Sequence, residues 1–138
     1  MNTPFHLNHI GVAVESIAAV LPVYELMGLK VLKRESVPSE QVDVAFLDSG
    51  ECHLELLEAT SEESPIAKFI QKRGPAIHHV CIEVENLPEM LQKLDAEGVR
   101  LIDKEPRVGA NNKRVAFIHP KATGGVLIEL SEEMPTSK

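Results

Sequence analysis

The chain has 138 residues, enough for one compact domain, and 43% of them are apolar, enough to build a core rather than a disordered segment. Its formal net charge of -7 argues against a nucleic-acid binder, which needs a basic face, and no apolar run approaches the roughly 18 residues that cross a bilayer. Met1-Asn2-Thr3-Pro4 lacks the charged and apolar regions of a secretory signal, and Cys52 and Cys81 form no framework, so free thiols in a reducing cytoplasm are expected.

In chain order, residues 8–14 form an apolar, β-branched run that predicts a strand. Ser16 stands at the N-cap position of a helix, with Ile17, Val20, Leu21 and Tyr24 on one face and Gly28 as its stop. Pro22 falls inside this helix and predicts a kink. Strands are expected next at about 29–35, 41–48 and 52–58. Segment 60–76 reads as a linker holding a short helix from Pro65 to Lys72, closed by Gly74-Pro75. The pattern then begins again with a strand at 78–84. Asn86 with Glu89 has the form of a capping box, Leu87, Met90, Leu91 and Leu94 make the stripe, and Gly98 ends the helix. Strands at about 99–104, 113–119 and 125–131 complete the chain.

The second half repeats the first. Asn8-His9-Ile10-Gly11-Val12-Ala13-Val14 matches His78-His79-Val80-Cys81-Ile82-Glu83-Val84, with His9 on His79. Gly28-Leu29-Lys30-Val31-Leu32 matches Gly98-Val99-Arg100-Leu101-Ile102, Val44-Ala45-Phe46-Leu47 matches Val115-Ala116-Phe117-Ile118, and Leu54-Glu55-Leu56 matches Ile128-Glu129-Leu130. Four blocks recur in one order with a slowly growing lag, which is the mark of a duplication with small loop insertions. The class is therefore α+β, two tandem βαβββ modules at about 6–59 and 77–132 in one domain.

Side chains on a strand alternate between its faces. Ile10, Val12 and Val14 face the helix, which leaves His9, Gly11 and Ala13 on the other face; Val80, Ile82 and Val84 likewise oppose His79, Cys81 and Glu83. Glu55 points away from Leu54 and Leu56, and Glu129 from Ile128 and Leu130. Each half thus offers one His and one Glu on its non-core face. A lone His at a strand start is ordinarily a polar end residue, but a carboxylate inside an apolar strand is costly without a partner. Two such carboxylates at equivalent positions, each matched to a His, point to a shared divalent cation. Imidazole plus carboxylate suits manganese, cobalt, nickel, iron or zinc, and four protein ligands on an octahedral ion leave two positions open. A closed structural zinc would more often use cysteine. Of the remaining histidines, His6 lies near the terminus and His78 has core parity with a backbone partner expected. His53 shares the Glu55 face, and His119, before Pro120, is placed to line a cleft. Cys81 reads as a small buried filler.

Several stretches carry more than this pattern: Asn8-His9-Ile10-Gly11, Glu55-Leu56-Leu57, Ser64-Pro65-Ile66-Ala67, His78-His79-Val80, Gly109-Ala110, and His119-Pro120-Lys121 followed by Gly124-Gly125-Val126-Leu127-Ile128-Glu129. From about residue 6 to 132 the chain resembles the vicinal oxygen chelate superfamily of glyoxalases, dioxygenases and antibiotic resistance proteins, and within it the methylmalonyl-CoA epimerase family. The resemblance implies a curved, mostly antiparallel eight-stranded sheet around a metal cleft. It implies His9, Glu55, His79 and Glu129 as ligands of one divalent ion, cobalt, manganese, nickel or zinc. Some members carry Gln where this chain has Glu55, which adds a negative charge here. The implied reaction interconverts (R)- and (S)-methylmalonyl-CoA by removing and returning the α-proton, with Glu40 as acid/base and Glu129 as the second carboxylate. Asn111, the repeat counterpart of Glu40, takes no proton at neutral pH. An acyl-CoA substrate implies cations for its carboxylate and phosphates, for which Lys113, Arg114 and Lys121 stand nearest, and the family implies a homodimer. Two other readings stay open: a glyoxalase I-like lactoylglutathione lyase using similar ligands, and a drug-binding resistance protein without a catalytic metal. With no Trp, one Tyr and four Phe, the chain is poorly furnished for the stacking cleft of the latter.

Overall fold

The ends of each helix show how the two modules are specified. Ser16 Oγ accepts from the Ala19 amide and Asn86 Oδ1 from the Glu89 amide, both at 3.1 Å, so the expected N-caps form. At the other ends Gly28 and Gly98 take φ of 103° and 79°. Leu29 N–H then reaches back to Tyr24 O at 3.1 Å and Val99 N–H to Leu94 O at 3.0 Å. This reversal needs a left-handed residue, which glycine supplies without a Cβ clash.

The computed structural model describes residues 5–134; Met1–Pro4, read above as lacking a secretory start, lie outside them. Among the described residues there are eight strands and three α helices. The first module comprises β1 (Phe5–Ala13), α1 (Ile17–Leu26), β2 (Lys30–Val37), β3 (Val42–Asp48) and β4 (His53–Ala59), and α2 (Pro65–Arg73) follows in the linker. The second comprises β5 (Ala76–Val84), α3 (Leu87–Ala96), β6 (Arg107–Val108), β7 (Lys113–Ile118) and β8 (Ile128–Glu133). The α+β class and the repeated βαβββ order agree with the sequence. α1 runs on through Pro22, which has no N–H to give the Ala18 carbonyl.

The chain divides into two compact units, one spanning His9–His78, the other built from His79 onward with the residues up to Asn8. In the first unit the strand order is β2-β3-β4-β1; β3 is antiparallel to both neighbours, and β1 runs parallel to β4. In the second the order is β5-β8-β7-β6, with β5 parallel to β8 and the other pairs antiparallel. Each unit packs its helix on one sheet face. Val14, Ile17, Ala45, Leu47 and Leu56 form the first core. Val84, Leu87, Leu91, Ala116, Ile118 and Leu130 form the second.

A second carboxylate on each last strand ties helix to sheet. Glu58 Oε1 accepts from the Ile17 amide at 2.7 Å, and Glu132 Oε1 from the Leu87 amide at 2.9 Å. Both amides lie in first helical turns, whose N–H groups have no partner within the helix, and the negative charge meets the positive end of the helix dipole.

One predicted strand is replaced. Over 99–104 only Leu101 bridges Ile118. The amides of Ile102 and Asp103 converge on the Phe117 carbonyl at 2.9 and 3.3 Å, while the Asp103 carboxylate takes the Phe117 amide at 2.9 Å. A side chain thus occupies the donor that a ladder would have used, and pairing resumes as the short β6 beyond Pro106.

Glu58→Ala should lower unfolding stability by about 1–2 kcal/mol, the usual worth of a charged helix cap. Urea denaturation checks this, with the exposed Glu62→Ala as a control expected within about 0.5 kcal/mol of wild type.

Candidate metal centre

Register fixes which side chains share a face. Gly11 pairs with Glu55 and His9 with His53 across β1 and β4, and Phe46 on β3 sits opposite Glu55. In the second unit Cys81 pairs with Glu129, and Phe117 on β7 sits opposite Glu129. His9 Nδ1 lies 3.0 Å from Glu55 Oε2, and His79 Nε2 lies 3.0 Å from Glu129 Oε1. Each unit therefore brings its predicted imidazole and carboxylate into direct contact. The residues are 6% exposed for His9, Glu55 and His79 and 8% for Glu129, so the face assigned away from the helix is the better buried one. Ile10 and Val12, on the helix side of β1, are only half-buried. At such depth neither carboxylate is stable without a matched partner.

The aromatic neighbours are also duplicated. Lys33 stands 5.4 Å over the Phe46 ring and Arg107 stands 5.3 Å over Phe117, which in turn meets His79 edge-on at 6.1 Å. These phenylalanines were legible in the repeat of Val-Ala-Phe, but nothing in composition marked them as neighbours of the carboxylates. Cys81 is fully buried, as expected of a filler, and its thiol donates to Ser131 Oγ at 3.3 Å. His78 finds the Phe69 ring of α2, edge-on at 4.9 Å.

Glu40 ends a 3-10 turn over Pro38–Glu40, half-buried, and Gln41 after it takes a left-handed φ of 51° before β3 begins. Asn111 and Asn112 repeat this turn ahead of β7 with φ of 59° and 54°. The left-handed residue that precedes each strand therefore matches, Gln41 with Asn112, whereas Asn111 is left-handed and its counterpart Glu40 is not. Among the cations, Lys113 is 15% exposed and ion-paired with Glu83, to which Asn8 also donates at 3.3 Å. Arg114 pairs with Glu132 at 2.7 Å, and Lys121 is exposed on the turn after β7.

His119 caps that turn: its Nδ1 accepts from the Lys121 amide at 3.0 Å. Desolvation first, then the charges of Arg100 and Lys121, hold its imidazole below the ordinary 6.5. A lowered value in the folded state means that the unfolded chain binds the proton more readily. The stability contributed by this cap is full above 6.5 and is lost as pH falls through the lowered value. An NMR titration should place the His119 midpoint below 6.5, and His119→Asn, which keeps an acceptor for the amide, should flatten the fall in stability across that window. A midpoint above 6.5 contradicts this assignment.

Comparison with known proteins bears on what these groups serve. The pattern of the Glyoxalase/Bleomycin resistance protein/Dioxygenase superfamily matches residues 8–117. The uncharacterized protein YqjC of Bacillus subtilis is 45% identical over 127 residues, covering 91% of each chain. Human mitochondrial methylmalonyl-CoA epimerase is 37% identical over 128 residues, covering 91% of this chain and 73% of that one. Among solved structures, a variant of Streptomyces coelicolor methylmalonyl-CoA epimerase in complex with 2-nitronate-propionyl-CoA superposes with a TM-score of 0.89 at 30% identity, covering 99% of both chains. With its duplicated βαβββ modules and its paired His and Glu, the chain belongs to the glyoxalase/bleomycin resistance protein/dioxygenase superfamily, in the branch of the methylmalonyl-CoA epimerases.

Proposed function

We propose that the chain interconverts (R)- and (S)-methylmalonyl-CoA, with His9, Glu55, His79 and Glu129 holding one divalent cation and Glu40 exchanging the α-proton. The observation that carries this reading is the twice-repeated buried contact of imidazole and carboxylate at 3.0 Å, in a chain of the epimerase branch.

The donor chemistry fits a divalent ion. Two carboxylates bring two negative charges, which a divalent cation balances, and two neutral imidazoles complete a set suited to cobalt, manganese, nickel or zinc. Without such an ion, two buried carboxylates would rely on protonated imidazoles alone. When bound, the cation supplies Lewis acidity that stabilises negative charge developing on the substrate's thioester oxygen.

The chain's own groups do the rest. Glu40 takes the proton from the carbon between thioester and carboxylate, and the C–H electrons pass into the thioester carbonyl as an enolate. A second carboxyl, which we assign to Glu129, serves the opposite face: in this role it loosens from the cation, takes up a proton, and returns it to the enolate carbon, so that the C–H bond re-forms with inverted configuration. One turnover leaves Glu40 protonated and Glu129 deprotonated; the reverse reaction, or proton exchange of both carboxyls with water, resets them, so no net acid is consumed. A positioned base of this kind contributes about 10²–10⁴-fold in rate. The turn that carries Glu40 is half-buried, which admits substrate while limiting water.

Lys113 and Lys121 are proposed to meet the anionic parts of the acyl-CoA. Lys113 would then have to share its charge with Glu83. Lys121, exposed on its turn, fits a phosphate of the CoA arm. As part of the same proposal the chain works as a single cytoplasmic domain and as a homodimer.

Glu40→Gln should slow exchange of the substrate α-hydrogen with deuterated water by at least about 10²-fold while leaving metal content unchanged. Exchange at the wild-type rate would remove Glu40 from this role.

A further inference from the structure

The Glu40 turn is gripped by the segment that follows its own module. Gln41 occupies the left-handed region, φ 51° and ψ 52°, which a residue with a Cβ holds only when its surroundings enforce it. Three contacts from the linker do so. The Thr60 amide donates to Gln41 O at 2.9 Å, carrying the β3–β4 ladder one step past Val42 and Ala59. Ser61 Oγ hydrogen-bonds the Gln41 side-chain oxygen. Ser64 Oγ donates to Glu40 O at 3.2 Å.

Ser64 is fully buried and holds two roles at once. Its hydroxyl accepts from the Ile66 amide at 3.2 Å as the N-cap of α2 while donating to Glu40. A hydroxyl has one donor and two acceptor sites, so both bonds are satisfied together. The start of α2 and the carbonyl of Glu40 are thereby joined through a single oxygen. The matching turn of the second module, Ala110–Asn112, carries Asn111 where this one carries Glu40, and an amide exchanges no proton at neutral pH.

We propose that Ser64, with Ser61, is a positioning residue for proton transfer: the linker locks the Glu40 backbone so that its carboxylate meets the α-carbon in one geometry. The inference rests on Glu40 being the base. Displacing a reacting group by about 1 Å can cost on the order of 10²-fold in rate, so even a small relaxation of this turn is measurable.

The test compares Ser64→Gly, Ser64→Thr and Glu40→Gln, assayed by α-hydrogen exchange on methylmalonyl-CoA in deuterated water with metal content measured on each. Gly is tolerated as an N-cap at little cost, so Ser64→Gly removes the grip while sparing α2, and Thr keeps the hydroxyl. Ser64→Gly is expected to lower kcat by about 10–100-fold with KM and metal content unchanged. Ser64→Thr is expected to recover most of the loss. The double variant Ser64→Gly/Glu40→Gln should be no slower than Glu40→Gln alone, because Ser64 acts through that carboxylate. If Glu40→Gln is inactive and Ser64→Gly keeps wild-type kcat, the positioning role is overturned and the base assignment stands. If Glu40→Gln retains wild-type exchange, the base assignment itself falls. Should Ser64→Gly fail to fold, Ser61→Ala, which leaves the N-cap intact, reads the same grip, and unchanged kcat there also overturns the proposal.

Discussion

A carboxylate buried in a β-sheet must be answered by a charge or a hydrogen-bond donor, and that requirement organises both modules. Each last strand carries two carboxylates three residues apart, Glu55 with Glu58 and Glu129 with Glu132, all of them buried except the half-buried Glu58. Three residues is an odd step, so the two point to opposite faces. One meets an imidazole at 3.0 Å, and the other accepts an amide of a first helical turn. A single strand register therefore aligns the His–Glu pair and anchors the helix together. A slip of one residue would turn both carboxylates the wrong way, so the register is strongly specified.

Duplication supplies the matched pairs, and divergence supplies the asymmetry that a reaction with two unlike steps requires. On the His/Glu face of the first module Gly11, Ala13, Val42 and Leu57 line the strands; the second module has Cys81, Glu83, Lys113 and Ser131 at the matching positions. The apolar surroundings thus lie on one side of the repeat, and the ion pair of Glu83 with Lys113 and the bond of Cys81 with Ser131 on the other. The turns diverge in the same sense. Gln41 and Asn112 share a left-handed backbone, but of the residues before them Glu40 can exchange a proton and Asn111 cannot.

Much of this was legible before any coordinates. Helix caps, glycine stops and strand parity are local rules, and they led from Ser16, Gly28 and Leu54-Glu55-Leu56 to the right elements and to the right neighbours for Glu55 and Glu129. What escaped was what depends on a distant partner. The alternation of Val99, Leu101 and Ile102 reads as a strand until the Asp103 carboxylate captures the Phe117 amide. Glu58 and Glu132 repeat at the same lag as Glu55 and Glu129, yet their role appears only when strand and helix start meet in space. His78 had core parity, but its edge-on contact with the Phe69 ring of the linker helix carries no sequence mark. The left-handed Gln41 was hidden because polar residues adopt that conformation rarely and without a sequence mark.

The central claim is that both His–Glu pairs serve one cation. Metal analysis of the purified chain, and of His9→Ala and His79→Ala, tests it most directly. The account predicts one divalent ion per chain in the wild type and loss of that ion in either variant, since each removes a quarter of one donor set. Two ions per chain, or full retention of the ion after removal of one of these imidazoles, would contradict it.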